Sequence, residues 1–302
     1  MVSIIIPTFN AEIYLEKLLD KLRIQSLKEY ELIVIDSSSD DETVGIASKY
    51  TENVIVIPQK EFDHGGTRTK AAQMAKGEVI VFLTQDALPC NQHTIKNIVK
   101  IFNGSKIGAA YGKQVSYEET NLFGKHLREF NYTDEAYVRD ASDVKRFGLK
   151  TAFLSDSFAA YRKSSLKAIG WFKDGLILGE DTYAGAKMIL DGYSLAYVPD
   201  AKVYHSHSYT VLQEFKRYFD IGVFHQTEAW ILRSFGKVEG EGMRYVKSEF
   251  NYLLAHNAWG EIPEFFVRNA MKYLGYKLGK NYKRCPRWLL VKLSMHYRWW
   301  SK

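Results

Sequence analysis

Short apolar runs alternate with helix-like stretches along the first hundred residues of the chain. Each run is nearly continuous in apolar residues, which is typical of parallel strands covered on both faces. The leucines between the first two runs recur at helical spacing, and acidic residues at 40–42 mark the start of a second helix, where the helix dipole favours negative charge. The pattern predicts a βαβαβαβ unit with strands at residues 2–6, 32–35, 54–57 and 79–83.

The strand ends of such a doubly wound sheet are where ligands bind, which directs attention to loops 7–10, 36–38 and 85–87. The first loop lacks the Gly-x-Gly-x-x-Gly pattern of dinucleotide-binding enzymes, so a redox function loses its main support. Polar side chains here can instead hydrogen-bond a nucleoside base and its ribose. The alternative is that Thr8 or Asn10 caps the following helix and that Asp36 only starts a turn.

Beyond residue 108 the pattern becomes mixed and then largely helical. We expect strands at 111–117 and 158–161, a helix opening at Glu180, and helices from Val211 onward. The sequence therefore predicts a catalytic domain of residues 1–210 and a helical C-terminal extension of residues 211–302. Residues 236–242, which include three glycines, are the predicted hinge between them.

Composition favours a cytoplasmic protein with one sizeable core and an appendage. The 302 residues are 46% hydrophobic, and the two cysteines cannot form a disulfide framework, which favours a reducing compartment. The N-terminus has no basic region of the kind that opens a signal peptide. No apolar stretch approaches the roughly 18 residues of a spanning helix.

The charge is concentrated in the C-terminal tail. The net charge is +6, but ten Lys or Arg residues follow the last acidic residue, Glu264, so residues 1–264 carry about −4. Beyond residue 284 the basic residues interleave with tryptophans and leucines, the composition of a helix lying among lipid headgroups. The sequence predicts peripheral association with the inner face of the cytoplasmic membrane. Packing on the core or in an oligomer is the alternative, and nucleic acid is disfavoured because no stacking module accompanies the charge.

Three segments resemble the signature segments of family 2 glycosyltransferases of the GT-A fold. The resemblance extends from residue 2 to about residue 210 and implies inverting sugar transfer on a Rossmann-like mixed sheet flanked by helices. The segments are Ser-Ile-Ile-Ile-Pro-Thr-Phe-Asn at 3–10, Leu-Ile-Val-Ile-Asp-Ser-Ser-Ser-Asp-Asp at 32–41 and Lys-Gly-Glu-Val-Ile-Val-Phe-Leu at 76–83. The resemblance implies a nucleotide pocket lined by Pro7, Thr8, Asn10, Glu12, Asp36 and Gln85.

The family's Asp-x-Asp metal motif stands here as Thr84-Gln85-Asp86, with a single carboxylate. A departing diphosphate develops negative charge, which a divalent ion held by oxygen ligands stabilises. The resemblance implies that Asp86 and His205 hold Mg²⁺ or Mn²⁺. His207 stays open as a ligand, because alternate residues of a strand face the same side. A hydrogen-bonded structural histidine is the alternative.

Residues 179–182 resemble the family's Glu-Asp motif on the acceptor side. The resemblance implies that Asp181 is the general base that takes the proton of the acceptor hydroxyl. The alternative is that Glu180 and Asp181 only stabilise a helix N-terminus.

The segment Asp-His-Gly-Gly-Thr-Arg at 63–68 resembles the subset of the family that transfers rhamnose from dTDP-L-rhamnose in surface polysaccharide assembly. Thr67 is expected to cap the next helix, and Arg68, in its first turn, is expected to meet the diphosphate. A tight structural turn is the alternative. The residues expected near the donor and the acceptor are Asp63, His64, Gly65, Gly66 and Glu180.

Together these features predict an inverting transfer of L-rhamnose from dTDP-rhamnose to a hydroxyl of a lipid-linked polysaccharide such as O-antigen. Three alternatives remain: a family 2 transferase using a UDP- or GDP-linked sugar, a sugar-nucleotide-forming nucleotidyltransferase, and a non-catalytic membrane scaffold that retains a nucleotide site. A nucleotidyltransferase would need a Gly-rich basic loop after the first strand, and the sequence lacks such a loop.

Overall fold

The computed structural model describes residues 1–104, 106–236 and 239–301. Residues 237 and 238, inside the predicted hinge, and Lys302 lie outside the described residues. The chain divides into two compact units. The first comprises residues 1–117, 132–175 and 180–205, and the second comprises residues 118–131, 176–179 and 206–302.

The first unit is built on a mixed β-sheet. Its strands are β1 (Val2–Thr8), β2 (Tyr30–Asp36), β3 (Val54–Val56), β4 (Val79–Leu83), β5 (Leu88–Pro89), β6 (Ile107–Val115), β7 (Tyr137–Arg139), β8 (Phe158–Arg162) and β9 (Ser194–Tyr204). Within the described ranges they form one nine-stranded sheet in the order β3-β2-β1-β4-β8-β6-β9-β5, with β7 paired to β9. The strands of the predicted βαβαβαβ unit are parallel, whereas β8 runs antiparallel to β4 and β6.

Helices cover this sheet because their leucine stripes and the apolar strands bury each other. Leu15, Leu18 and Leu22 of the first helix are fully buried in the same cluster as Ile4 and Val81 of the central strands. The helices of this unit are α1 (Glu12–Arg23), α2 (Thr43–Ser48), α3 (His64–Met74), α4 (Thr94–Val99), α6 (Val144–Phe147), α7 (Lys163–Ala168) and α8 (Glu180–Leu190). The fold confirms the predicted α/β class.

One predicted helix cap is wrong, and the structure also rules out an alternative for another helix start. Helix α3 begins at His64, and its N-cap is Asp63, so the prediction that Thr67 caps this helix is wrong. The carboxylate of Asp63 reaches the first orphan N–H groups, which leaves Thr67 inside the first turns. The N-cap of α1 is Ala11, without a side-chain cap, so neither Thr8 nor Asn10 caps that helix.

The second unit is helical. Its helices are α5 (Leu122–Asn131), α9 (Val211–Thr227), α10 (Ala229–Phe235), α11 (Glu239–Ala255), α12 (Ile262–Lys280) and α13 (Arg287–Leu293). Helices α9 and α12 approach closely, because a Cβ added to Gly275 would lie 2.4 Å from the carbonyl oxygen of Phe215. The helical C-terminal region predicted from the sequence is confirmed. Over the described part of the chain, no helix combines the length and the apolar character needed to cross a membrane.

Candidate functional site

The loops after β1 and β2 are fastened to each other by side-chain hydrogen bonds. Thr8, the last residue of β1, donates its hydroxyl to Asp36 Oδ1 over 2.9 Å, and both side chains are buried. The other carboxylate oxygen of Asp36 accepts from the backbone N–H of Ser39 at 2.8 Å. Pro7 lies opposite Ile35 in the parallel ladder that brings these strand ends together. Asp36 therefore helps to hold the strand-end loops in place.

Two exposed polar residues stand on this frame. Asn10 adopts a positive φ of 48°, and its side-chain oxygen accepts from the N–H of Asp40 at 3.0 Å. Glu12 accepts from the N–H of Glu42 at 3.2 Å. Gln85 joins the end of β4 to the same loop, since its amide oxygen accepts from the Phe9 N–H at 2.9 Å. The structure thus brings together the six side chains predicted to line a nucleotide pocket.

Asp86 and His205 lie next to each other at the far end of the sheet. Leu88 of β5 pairs with Tyr204 of β9 in antiparallel fashion. This pairing brings Asp86, just before β5, close to His205, just after β9. Asp86 Oδ1 lies 3.5 Å from His205 Nε2, and the side chains are 25% and 8% exposed. A carboxylate and an imidazole at this spacing are ligand types that divalent ions accept.

Gln114 orients the imidazole. His205 Nδ1 lies 2.9 Å from Gln114 Oε1, and because an amide oxygen can only accept, Nδ1 carries the proton. Gln114 in turn donates its amide to Ser155 Oγ at 2.8 Å. With a proton on Nδ1, the imidazole directs Nε2 towards Asp86, the arrangement of metal-binding histidines whose other nitrogen is hydrogen-bonded. The strand β9 ends at Tyr204, so the prediction that His205 and His207 are alternate residues of a strand is wrong, and His207 belongs to the second unit.

Three acidic residues, Asp156, Glu180 and Asp181, lie close together at the start of α8. Asp181 is half-buried, and its carboxylate accepts from the backbone N–H groups of Thr182 at 2.6 Å and Asp156 at 3.3 Å. Burial, together with the negative charge of Glu180, raises the pKa of Asp181 to about 6. A carboxyl group with such a pKa can accept a proton near neutral pH.

Arg68 lies in this acidic group and is buried. Its Nε is 3.1 Å from Asp156 Oδ2, its Nη1 is 3.1 Å from Glu180 Oε1, and Nη1 also donates to the carbonyl of His64 at 3.0 Å. Burial raises the pKa of Asp156, against the positive charge of Arg68. The guanidinium is directed to carboxylates and a carbonyl, so its predicted contact with a diphosphate remains a prediction.

The Asp-His-Gly-Gly run forms the capped start of α3. Asp63 Oδ1 accepts from the N–H groups of Gly65 and Gly66 at 3.1 and 2.9 Å, and Oδ2 accepts from Gly175 at 3.0 Å. Gly65 is sterically required, because an added Cβ would lie 1.9 Å from the carbonyl oxygen of Lys173. The ring of His64 packs edge-on against Phe62, with centroids 5.0 Å apart.

Two residues of these clusters escaped the sequence-based prediction. Gln114 lies in the buried strand β6, where a polar side chain among apolar neighbours was a usable signal. Asp156 is a fully buried acid just before β8 that receives the hydroxyl of Tyr161 at 2.6 Å. No motif in the sequence marks Asp156, because its partner Arg68 is distant along the chain.

Comparison with known proteins identifies the class. The family model described as glycosyl transferase family 2 matches residues 3–170, more than half of the chain. The chain therefore belongs to glycosyl transferase family 2. It is 44% identical over 301 residues to the O-antigen chain rhamnosyltransferase WbaN of Salmonella anatum, covering 99% of this chain and 95% of that protein. It is 43% identical over 302 residues to the O-antigen chain rhamnosyltransferase RfbN of Salmonella typhimurium strain LT2, covering 99% and 96%.

Solved structures share the fold at low sequence identity. A mannosyltransferase, PcManGT from Pyrobaculum calidifontis in complex with GDP-Man and Mn²⁺, matches with a TM-score of 0.61 at 19% identity, covering 99% of this chain and 85% of that one. Residues 1–349 of TarS from S. aureus, in complex with UDP-GlcNAc, match with a TM-score of 0.56 at 18% identity, covering 94% and 91%. These likenesses support the predicted GT-A fold and carry no information on the donor of this chain.

Proposed function

We propose that this protein is a rhamnosyltransferase of O-antigen assembly, which moves L-rhamnose from dTDP-L-rhamnose to a hydroxyl of a lipid-linked polysaccharide with inversion. The observation that carries the proposal is the 44% identity with a protein named as an O-antigen chain rhamnosyltransferase over 99% of this chain. The dTDP-linked donor rests on the resemblance of residues 63–68.

In the proposed reaction, Asp181 is the general base. The acceptor oxygen forms a bond to the anomeric carbon while the bond from that carbon to the diphosphate oxygen breaks. The hydroxyl proton passes to the Asp181 carboxylate, which two backbone N–H groups hold in place. With a pKa of about 6, Asp181 is mostly ionised at neutral pH and can accept that proton.

Asp86 and His205 would hold a divalent ion, Mg²⁺ or Mn²⁺. Such an ion neutralises the charge that develops on a departing diphosphate. The fit rests on the 3.5 Å between Asp86 Oδ1 and His205 Nε2 and on the proton that Gln114 fixes at Nδ1. His207 stays a candidate for a further ligand.

The nucleotide would lie over the loops after β1, β2 and β4. Asn10 and Glu12 are exposed there, and the buried pair of Thr8 and Asp36 keeps the loops in register. Gln85 completes the frame through its bonds to the backbone of Phe9. Polar groups on a rigid frame can bind a base and ribose with little loss of conformational entropy.

The donor is tested by incubating the protein with dTDP-rhamnose, UDP-sugars or GDP-sugars, Mn²⁺ and a lipid-linked acceptor, and detecting product by mass. We expect product with dTDP-rhamnose, and product only with a UDP- or GDP-sugar would overturn the proposed donor. Asp181→Asn is expected to bind dTDP as the wild type does and to lose transfer by at least ~10³-fold. Asp191→Asn, an exposed change at the other end of α8, is the matched control.

We also propose that the second unit binds the surface of an anionic membrane. Its last helices expose aromatic side chains: Phe266 is 61%, Tyr273 65% and Trp288 64% exposed. Ten basic residues and no acidic residue follow Glu264. Each basic residue near an anionic surface contributes roughly 1 kcal/mol, and exposed aromatics suit the interface.

Some of the predicted tail residues have internal roles instead. Leu290 and Trp300 are buried. The side chains of Arg268 and Lys272 are also buried, and both pair with Glu214, at 3.2 and 3.6 Å. Membrane contact is therefore proposed for the exposed aromatic residues and for basic residues beyond Lys272.

Flotation with phosphatidylcholine vesicles, with and without phosphatidylglycerol, tests this surface. We expect binding only to the anionic vesicles, weakened by salt. The double change Tyr273→Ser and Trp288→Ser should weaken it about tenfold or more. The control is Ile13→Ser, because Ile13 is an apolar residue of the first unit that is 82% exposed. Equal binding to both vesicle types, or no binding, would contradict the proposal.

A further inference from the structure

We infer that Arg68, Asp156 and Glu180 are positioning residues that hold the Asp181 carboxylate in place and set the pH range over which it works. This inference rests on the proposed function of Asp181 as the base. It assigns a task to the Asp-His-Gly-Gly-Thr-Arg segment that does not require contact with the nucleotide.

Arg68 contacts two carboxylates that belong to different elements of the first unit. Its fork reaches two carboxylates at 3.1 Å each, Asp156 through Nε and Glu180 through Nη1. Asp156 precedes β8 and Glu180 opens α8, so one guanidinium joins three elements of the first unit. Asp156 also donates its backbone N–H to Asp181 at 3.3 Å. Arg68 and the base are therefore linked through Asp156 and Glu180.

The start of α3 fixes the position of Arg68. Asp63 caps α3 and also accepts from Gly175, which anchors the helix start to the loop before α8. Gly65 lies against the Lys173 carbonyl with no room for a side chain. One turn into this fixed helix, Arg68 donates to the carbonyl of His64. The segment thus works as a rigid mount for one buried guanidinium.

Opposite charges act on the Asp181 carboxylate. The ionisable groups that face Asp181 are Glu180 from its own helix, Arg68 from α3, and Asp156 and Tyr161 from the β8 segment. Arg68 supplies the positive charge that opposes the negative charge of Glu180. Glu180 raises the pKa of Asp181, and Arg68 lowers it. Without Arg68, the charge of Glu180 would act unopposed and would favour the protonated, inactive base.

Glu180→Gln tests the balance, because the amide oxygen can still accept from Arg68 while the negative charge is removed. Transferase activity falls as the pH drops below the pKa of the general base, because the base becomes protonated. The acidic limb of the kcat/KM profile therefore reports the pKa of Asp181. We expect this limb to move to lower pH by about half to one unit in Glu180→Gln. Glu16→Gln, an exposed change on α1, should leave the limb unchanged.

Arg68→Lys and Arg68→Met separate charge from packing. Lys keeps the positive charge and should keep the limb within about a quarter of a unit of the wild type, with a reduced kcat. Met removes the charge and should move the limb to higher pH, opposite to Glu180→Gln. If Arg68→Met does not fold, the comparison of Glu180→Gln with Arg68→Lys carries the test. An unmoved limb in an active Glu180→Gln variant would overturn the inference.

A titration without turnover distinguishes this inference from the proposed function. Carboxyl ¹³C shifts of labelled aspartates, assigned by comparison with Asp181→Asn, report the protonation of Asp181 directly. A shift to lower pH in Glu180→Gln supports the charge balance even if no sugar is transferred. Absence of transfer by the wild type would refute the proposed function alone.

Discussion

Gly65 and Gly66 are neighbours in one motif, yet the structure predicts opposite responses to the same substitution. In Gly65→Ala, the new methyl would lie 1.9 Å from the carbonyl oxygen of Lys173 and 2.7 Å from its carbonyl carbon. Both atoms are backbone, so α3 or the 173–175 loop must move. In Gly66→Ala, the nearest atom is the Asp63 Cβ at 3.4 Å, an ordinary contact.

The expected changes in stability differ in both sign and size. Overpacking against backbone costs about 1–3 kcal/mol, so Gly65→Ala should lower the midpoint of thermal unfolding by about 2–8 °C. Ala is favoured over Gly inside a helix by about 0.5–1 kcal/mol, so Gly66→Ala should be neutral or slightly stabilising. Because the displaced helix carries Arg68, Gly65→Ala should also lower transferase activity.

Thermal unfolding of the two variants, followed by circular dichroism, measures this difference. Transferase activity on the same samples then reports whether the displaced helix disturbs the base. Equal midpoints for Gly65→Ala and Gly66→Ala would refute the reasoning, because the clash with Lys173 is the only steric difference it invokes.

Three further predictions concern the proposed metal site and the second unit. His205→Ala should weaken Mn²⁺ binding in the presence of dTDP, measured by calorimetry, by at least ~10-fold, since an imidazole ligand is lost. Gln114→Leu should weaken Mn²⁺ binding by about 10–100-fold, because the Nδ1 proton loses its acceptor; unchanged affinity would contradict the orienting role. Gly279→Ala should destabilise the protein by about 1–3 kcal/mol, because its Cβ would lie 2.0 Å from the Phe219 carbonyl oxygen. Gly240→Ala, with nothing within 4 Å of its Cβ, is the control, and equal midpoints would contradict the packing argument.

Much of the fold could be predicted from the sequence because its signal is local. The strand β4 is buried at every position and reads as a continuous apolar run, and the leucine stripe of α1 matches the buried face of that helix. The strand order beyond β4 could not be predicted. It depends on how β8 inserts between β4 and β6, which is set by side-chain packing between segments far apart in the chain.

Some residues of the candidate site could be predicted from the sequence and others could not. Thr8 and Asp36 were recognisable because each ends a strand, and parallel strands bring their ends to one edge. Arg68 shows the limit of such reasoning. Its position near a helix N-terminus predicted an anion, and the structure supplies anions from the protein itself, in Asp156 and Glu180. Neither partner could be assigned from the sequence, since both pairings depend on tertiary packing.

The single carboxylate at the proposed metal site has a physical consequence. Thr84 stands where the family motif has an aspartate, so Asp86 and the neutral His205 would offer an ion one negative charge instead of two. Affinity for a divalent ion falls as the number of charged ligands falls. The missing charge can come from the diphosphate of the donor. We therefore expect metal and nucleotide to bind with positive coupling, each strengthening the affinity for the other by the same factor.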